Sequence, residues 1–404
     1  MNAQSKRMLG ISVLTASEQR IAWTFDNFEC ICVSFSGGKD STTMLHLVMV
    51  EAIRRNRKVG LFFLDWEAQY KITIDHVQRC FDLYANYVDP YWVTLPFRTV
   101  NAVSQFEPEW ICWEHGKEAL WVRDRPPMTI SDEAFFPFYS YPMTFEEFVP
   151  EFGRWYGQGK STAIMVGIRA GESLMRWRTV TNSHKHMLDG QLWTTWVGDG
   201  TYNVYPIYDW KTADIWRYAG KTGTPQNPLY NLMYKAGVPL HNQRICEPYG
   251  NEQRRGLWLF HVIEPETWGR IVARVNGANT GALYSGERGN VMGNGQITKP
   301  DNHTWESYVM LLLSSMPSAT AEHYKNKIAV YLKWYRDRGY PDGIPDCFDG
   351  DTAQKALPSW RIVCKVLLKN DYWCKGLCFS PTKQKSYANY LRIMKNRRTK
   401  WGLI

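Results

Sequence analysis

Several features are missing from this chain of 404 residues, and each absence narrows what it can do. No stretch approaches the roughly 18 to 20 uninterrupted apolar residues that span a bilayer. Residues 1–20 carry no basic-then-apolar leader pattern, so no membrane partner is expected and the expected compartment is the cytoplasm. No Cys-x-x-Cys occurs, and the nine cysteines are odd in number and scattered, which argues for reduced thiols rather than a disulfide framework. Cys364, Cys374 and Cys378, with Cys347 or Cys246 as a fourth, could supply metal ligands. Free cysteines are more commonly packing residues, however, and neither an iron-sulfur cluster nor zinc is expected. There is no internal repeat, no low-complexity tract, no Ser/His/Asp arrangement, no Walker A spacing and no dinucleotide Gly-x-Gly-x-x-Gly turn.

What is present is ample for packed cores, with 44% hydrophobic residues and 15% aromatic, and the length exceeds one typical domain. The chain is organised around Ser34-Phe35-Ser36-Gly37-Gly38-Lys39-Asp40-Ser41-Thr42. Ile31, Val33 and Phe35 form a short β-prone run, and from Thr42 the apolar positions Met44, Leu45, Val48, Met49 and Ala52 recur at helical spacing. The two glycines therefore lie in a strand-to-helix turn. Glycine permits positive φ and close approach of a ligand, while the helix start aims free N–H groups and its positive dipole end at the turn. That is an anion site, most naturally for phosphate, with Lys39 as a point charge and Ser36, Ser41 and Thr42 as hydroxyl donors.

Ser-x-Gly-Gly-Lys-Asp-Ser after a strand resembles the PP-loop of the adenine-nucleotide α-hydrolase superfamily, which includes ATP pyrophosphatases, the ATP sulfurylase small subunit and the phosphoadenosine-phosphosulfate (PAPS) reductases. The resemblance implies a parallel-sheet α/β domain whose loop wraps the phosphates of an adenine nucleotide, ATP or PAPS. A magnesium ion usually accompanies such a polyphosphate, with Asp40 or Asp65 as candidate outer ligands. The segment Gly167-Ile168-Arg169-Ala170-Gly171-Glu172-Ser173-Leu174-Met175-Arg176 is similar to the Gly-x-Arg-x-x-Glu/Gln-Ser-x-x-Arg segment of PAPS reductases. It implies a guanidinium clamp for phosphate or sulfate from Arg169 and Arg176. Pro206 to Trp216 and Asn227-Pro228-Leu229-Tyr230 also match family signatures, so the resemblance covers roughly residues 15 to 240.

In chain order, Leu14 to Phe28 reads as a leading helix; Gln19, Arg20 and Trp23 can frame the nucleotide mouth, and core packing explains Trp23 equally well. Val59 to Leu64 is a second strand ending in Asp65-Trp66-Glu67, whose carboxylates are expected at the same crevice as Lys39. A helix is expected over Tyr70 to Tyr87 and a third strand over Tyr91 to Leu95. Residues 104–160 hold fourteen aromatics, with prolines at 126, 127, 137, 142 and 150. They read as an insertion that packs by its aromatics over the sheet edge, with a lid as one role open to it, its prolines breaking any long helix and Trp110, Trp113 and Trp121 forming its core. A fourth strand runs from Ala163 to Ile168. Asp209 is the expected N-cap of a short helix anchored by Trp210 and Trp216 and tied to its loop by Asp214.

Beyond residue 240, His241 to Gly250, Gln253 to Trp258 and the glycine-rich Asn276 to Lys299 resemble one subgroup, the immunoglobulin-binding-regulator A proteins, described as PAPS-reductase-like. That resemblance implies a ParB-like protein partner. Arg244, Arg254 and Arg255 can complete an anion pocket for substrate, the glycines can form a mobile loop, and helical patterning predicts a mainly helical domain over 241–404. The net charge of +9 belongs to the tail, because residues 355–404 carry twelve Lys/Arg against one acidic residue, Asp371. A polyanion such as nucleic acid, an acidic protein, or a merely solvated face would each fit.

The expectation is thus an α/β PP-loop domain over 1–240 followed by a mainly helical domain, binding ATP or PAPS and acting at its phosphate or sulfate. The nucleotide set is Ser34, Ser36, Gly37, Gly38, Lys39, Asp40, Ser41, Asp65, Gly167, Arg169, Glu172 and Ser173, with Lys39, Asp40, Arg169 and Arg176 nearest the chemistry. Two alternatives stay open: a nucleotide-dependent, sulfur-inserting nucleic-acid modification enzyme, and a non-catalytic nucleotide sensor. Thiol-dependent reduction of PAPS is not expected, since PAPS reductases deliver a thiolate from a Glu-Cys-Gly-x-His tail that this chain lacks. Cys246, between Arg244 and Glu247, is the one thiol in a suggestive setting.

Overall fold

The computed structural model describes residues 10–104, 107–182, 184–245, 249–250, 256–284, 297–348, 357–369, 371–372 and 374–379. The strands, in chain order, are β1 (Cys30–Phe35), β2 (Val59–Leu64), β3 (Val88–Val93), β4 (Phe97–Val100), β5 (Glu109–Cys112), β6 (Met143–Thr144), β7 (Thr162–Val166), β8 (Thr194–Gly198) and β9 (Thr201–Val204). The helices of the first half are α1 (Val13–Asn27), α2 (Lys39–Arg54), α3 (Lys71–Leu83), α4 (Phe145–Gly157), α5 (Leu174–Thr181), α6 (Thr212–Thr222) and α7 (Leu229–Lys235). The later helices are α8 (Trp258–Ile263), α9 (Pro265–Arg274), α10 (Ala278–Tyr284), α11 (Trp305–Ser315), α12 (Ser318–Arg336) and α13 (Trp360–Leu368).

Two compact units form, one from residues 1–96, 123–143 and 148–246, the other from 97–122, 144–147 and 247–404. The first is α/β. Its six-stranded sheet has the order β3-β2-β1-β7-β9-β8, parallel throughout except for β8, which pairs antiparallel with β9. β1 and β2 are apolar almost without alternation because both faces are covered, as parallel strands require. One face buries Val33, Leu61 and Phe63 against Ile21 and Phe25 of α1, Met44 and Val48 of α2, Val77 of α3 and Ile215 of α6. The other face is closed by α4, whose Phe152 lies 4.4 Å from Phe62 and 5.4 Å from Tyr91 between ring centroids.

α4 differs from the expectation for residues 104–160 in two respects: its aromatics pack on the face of the sheet rather than its edge, and Pro150 does not break the helix. Pro150 lies inside this helix, at the cost of one missing backbone donor. Burial of Phe148 and Phe152 and a phenol bridge hold the helix in place: the Tyr156 hydroxyl accepts from Gly60 N–H at 2.9 Å and donates to the Ile31 carbonyl at 2.8 Å. Other local expectations shift by physical competition. Arg20 does not frame a mouth; it is buried, donates to the Pro206 carbonyl at 2.8 Å and forks onto both oxygens of Asp209. Asp209 is thereby spent on Arg20 rather than capping a helix. α6 starts at Thr212, with Lys211 as N-cap and Asp214 accepting the Lys211 N–H at 2.8 Å. Trp23 packs edge-on against Trp193, a core role.

In the second unit β4 and β5 pair antiparallel, and helices dominate the remainder. α11, α12 and α13 share a core of Trp305, Val309, Leu313, Tyr324, Ile328, Trp360, Val363 and Leu367. Among the described residues no helix is long and apolar enough to cross a membrane.

Candidate functional site

The strand order reverses direction at β1, whose sequence neighbour β2 lies on one side and the distant β7 on the other. In an open parallel sheet this switch point leaves a crevice at the strands' carboxyl ends, where ligands bind. The loop after β1 and the Gly167-to-Arg176 segment after β7 meet there. Gly37 takes φ +70° in the turn, and Gly38, extended at φ −82°, is the N-cap of α2. A side chain at Gly167 would stand 3.1 Å from the Ser41 Cα, so glycine lets the end of β7 close on the start of α2.

Ser36 and Ser41 brace the loop internally. Their hydroxyls lie 2.9 Å apart, Ser36 N–H donates to Ser41 Oγ at 3.2 Å, and Ser41 Oγ donates to the Gly38 carbonyl at 3.1 Å. Ser34 stays within β1. The amides of Gly38, Asp40 and Ser41 donate to no protein acceptor among the described residues, which is the donor cluster expected of a helix start that takes an anion.

Around that cluster stands a chain of alternating charges. Lys39 Nζ lies 3.2 Å from Asp40 Oδ2, and Asp40 Oδ1 accepts from Arg169 Nε at 2.7 Å. Glu172 then faces Arg169 at 3.5 Å, accepts the Arg169 N–H at 3.2 Å and pairs with Arg176. Ser173 caps α5 by accepting the Arg176 N–H at 3.2 Å. Arg244 joins by donating to the Glu172 carbonyl at 2.9 Å. Lys39 and Arg169 are 4% and 5% exposed. Burial therefore pulls the Lys39 pKa below the usual lysine range, with Asp40 opposing the shift and Arg169 and Arg244 adding to it.

The expected nucleotide residues after β1 and β7 are thus brought together, with Arg244 beside them. Arg254, Arg255 and Cys246 lie outside the described residues, as do most of the glycines of 276–299 and the end of the basic tail. Asp65, at the end of β2, is fully buried; its carboxylate pairs with Arg123 and accepts from Trp92 Nε1 and the Glu67 N–H, each at 3.0 Å.

Three contacts here carry no local sequence signal. Arg123 arrives from the aromatic-rich stretch, Tyr230 accepts the Lys39 N–H at 3.0 Å, and the Gln243 carbonyl accepts from Lys39 Nζ at 3.2 Å. Tyr230 stands inside Asn-Pro-Leu-Tyr, so its setting is visible in the sequence although its contact is not.

The donor set does not fit a directly bound magnesium ion in this arrangement. Both Asp40 oxygens face cations, and Asp65 is committed to Arg123, Trp92 and Glu67. Among the described residues no three His, Cys, Asp or Glu side chains gather closely enough to hold a metal ion. The buried thiols of Cys80, Cys364 and Cys374 are each pushed up to about 12, and Cys32 higher still, by burial, which makes them poor nucleophiles.

Residues 146–236 match the model of the phosphoadenosine phosphosulfate reductase domain, and residues 237–343 match a domain of unknown function, DUF3440. The chain is 48% identical over 399 residues to the uncharacterized protein YbdN of Escherichia coli K12, covering 98% of this chain and 97% of that one. Among solved structures, a PAPS reductase from Candida auris in a phosphate complex overlaps 54% of this chain and 84% of its own, at 14% identity and TM-score 0.30. A Candida glabrata FMN adenylyltransferase with FAD and pyrophosphate overlaps 54% and 59%, at 17% identity and TM-score 0.31. The U34-tRNA thiolase NcsA of Methanococcus maripaludis, solved with its 4Fe-4S cluster, overlaps 67% and 80%, at 13% identity and TM-score 0.31. Overlaps at these scores are too low to transfer any residue.

Proposed function

We propose, from the premise that the chain belongs to the family of the Escherichia coli protein YbdN, that it is a PP-loop enzyme that binds an adenine nucleotide, ATP or PAPS, and cleaves or transfers at its phosphate or sulfate. The observation that carries this reading is the set of free amides at Gly38, Asp40 and Ser41, flanked by Lys39 and Arg169 at the sheet's switch point. The match of residues 146–236 to the PAPS reductase domain supports the same class.

The protein's part is positioning and charge stabilisation. The α2 amides cradle phosphate oxygens, Lys39 and Arg169 stand where negative charge grows as a phosphate or sulfate bond breaks, and Glu172 aligns Arg169 with Arg176. Surrounding side chains that exclude water strengthen each of these contacts. A divalent cation carried in with the nucleotide would neutralise phosphate charge. Thiol-dependent reduction is not part of the proposal, because the sequence lacks the Glu-Cys-Gly-x-His segment from which PAPS reductases deliver their thiolate.

The test is titration calorimetry of the full chain with ATP, PAPS and adenosine 3′,5′-bisphosphate. Arg169→Ala and Arg176→Ala are expected to weaken PAPS more than the bisphosphate. Equal losses on both ligands would move the arginines away from the sulfate, and no binding of either ATP or PAPS by the wild type would sink the assignment.

A further inference from the structure

We infer that Tyr230 and Gln243 are stand-in ligands of the anion seat: they hold the donors of Lys39 that a phosphate takes, so that residues 229–244 form a strap which polyphosphate binding releases. This rests on the proposed nucleotide site and adds the residues that control access to it.

The strap has a fixed end and a releasable end. At the fixed end Asn227 Nδ2 donates to the Gly37 carbonyl and to Thr73 Oγ1, each at 3.0 Å, while its Oδ1 accepts the Leu229 N–H at 3.0 Å. This holds the start of α7 against the loop and delivers the Tyr230 ring to the α2 N-terminus. The Tyr230 hydroxyl then accepts the Lys39 N–H at 3.0 Å, and it lies 3.3 Å from where a Gly38 Cβ would stand. Lys39 Nζ sits 5.2 Å from the ring centroid and donates to the Gln243 carbonyl. At the releasable end Arg244 donates to the Glu172 carbonyl.

A phosphate oxygen and the Tyr230 hydroxyl cannot both occupy the position in front of the Lys39 amide. Lys39 and Arg169, which the proposed function sets beside the phosphate, are almost wholly covered, so an incoming anion must open the cover. The exchange favours the anion: a charged oxygen binds the Lys39 N–H roughly twice as strongly as the neutral phenol does, and it gives the Lys39 ammonium an opposite charge that the Gln243 carbonyl lacks. Gln243 also carries a sign of incomplete satisfaction. Its side-chain Oε1 is buried with no hydrogen-bond partner among the described residues, although the residue is 1% exposed, so part of the strap is held under a desolvation penalty that movement relieves.

The experiment uses the full chain with inorganic pyrophosphate and ATP as probes. Tyr230→Phe keeps the ring and removes the stand-in oxygen. It is expected to bind pyrophosphate about three- to ten-fold more tightly than wild type, the equilibrium worth of one neutral hydrogen bond. Tyr234→Phe, on the exposed side of the same helix, should leave the affinity unchanged. Amide exchange read by mass spectrometry supplies an arm that needs no variant: in wild type, pyrophosphate should speed exchange across 229–244 and leave α1 unaffected. Equal or weaker binding by Tyr230→Phe, or slower exchange across 229–244 on binding, overturns the strap while leaving the nucleotide site standing. Binding by Tyr230→Phe alone supports the strap strongly, and binding by neither protein removes both the strap and the site.

Discussion

Replacing Lys39 by methionine should separate what this residue does for the fold from what it does for a ligand. Methionine keeps nearly the length and volume of the lysine stem in a closely packed place and removes only the charge. In the folded protein that charge is held against burial, which pulls the Lys39 pKa down. Its partner Asp40 does not become an orphan, since Arg169 Nε remains 2.7 Å from Oδ1. Removing one partner of a buried pair is costly chiefly when it strands an uncompensated charge; here Asp40 keeps Arg169 and only the Gln243 carbonyl loses a donor, so the ligand-free stability should fall by about 1 kcal/mol. Ligand binding should respond very differently, because losing a charged donor at the seat is worth about a hundred-fold in affinity, or roughly 2.7 kcal/mol. With ATP at a hundred times the wild-type Kd, wild type gains about 2.7 kcal/mol of stability, whereas the variant, at a concentration equal to its own Kd, gains about 0.4 kcal/mol. The assay is denaturant unfolding of both proteins with and without ATP, followed on the α/β unit. A ligand-free loss well beyond that ~1 kcal/mol would make Lys39 a structural rivet, and an undiminished ATP effect would remove it from the site.

Two further outcomes test the frame around the site. Tyr156→Phe should destabilise the protein by about 1–3 kcal/mol, because it leaves the buried Gly60 N–H without an acceptor between β1 and β2; an unchanged urea midpoint would show that α4 is held by its aromatics alone. His76 sits behind the loop with Nε2 3.0 Å from Thr42 Oγ1, and burial lowers its pKa from 6.5 to about 4. The unfolded chain therefore takes up this proton first on acidification, so stability complete at pH 7 falls between about pH 6.5 and 4, by roughly 2 kcal/mol at pH 5. His46 and His323 are lowered in the same direction by burial, which makes the informative measurement a difference: His76→Gln should show a shallower loss from pH 7 to pH 5 than wild type, and an identical loss would refute the assignment.

The α/β class and the helical character of the later half are legible because periodicity reports burial. β2 reads from sequence at its observed limits, Val59–Leu64, because both of its faces are covered and the run is apolar without interruption. The loop after β1 is legible for a related reason: its donors come from the backbone of consecutive residues, and glycine, lysine and serine there can be read in order. Misreadings arise wherever a side chain has a distant partner. Asp209 has the sequence context of an N-cap and loses that role to Arg20, 189 positions away. Pro150 has the sequence context of a helix breaker, yet it is tolerated because Phe148 and Phe152 bury themselves on either side of it.

The same distinction explains the division of the site itself. In the proposed site, phosphate recognition by α2 is local, written in one turn of chain, whereas the proposed control of access rests on contacts 191 and 204 residues away, at Tyr230 and Gln243. A local motif fixes which class of ligand is favoured, since free amides and a positive helix end select an anion whatever surrounds them. The distant contacts, in the strap proposed above, set when that ligand enters, since they hold the two Lys39 donors with neutral oxygens while the neighbouring amides stay open. Lys39 is the point where the two meet: its amide is claimed from α7 and its ammonium from Gln243, while Asp40 draws it toward Arg169. In the proposed strap, an incoming anion has to displace only the two neutral oxygens from Lys39, since Asp40 keeps Arg169 throughout.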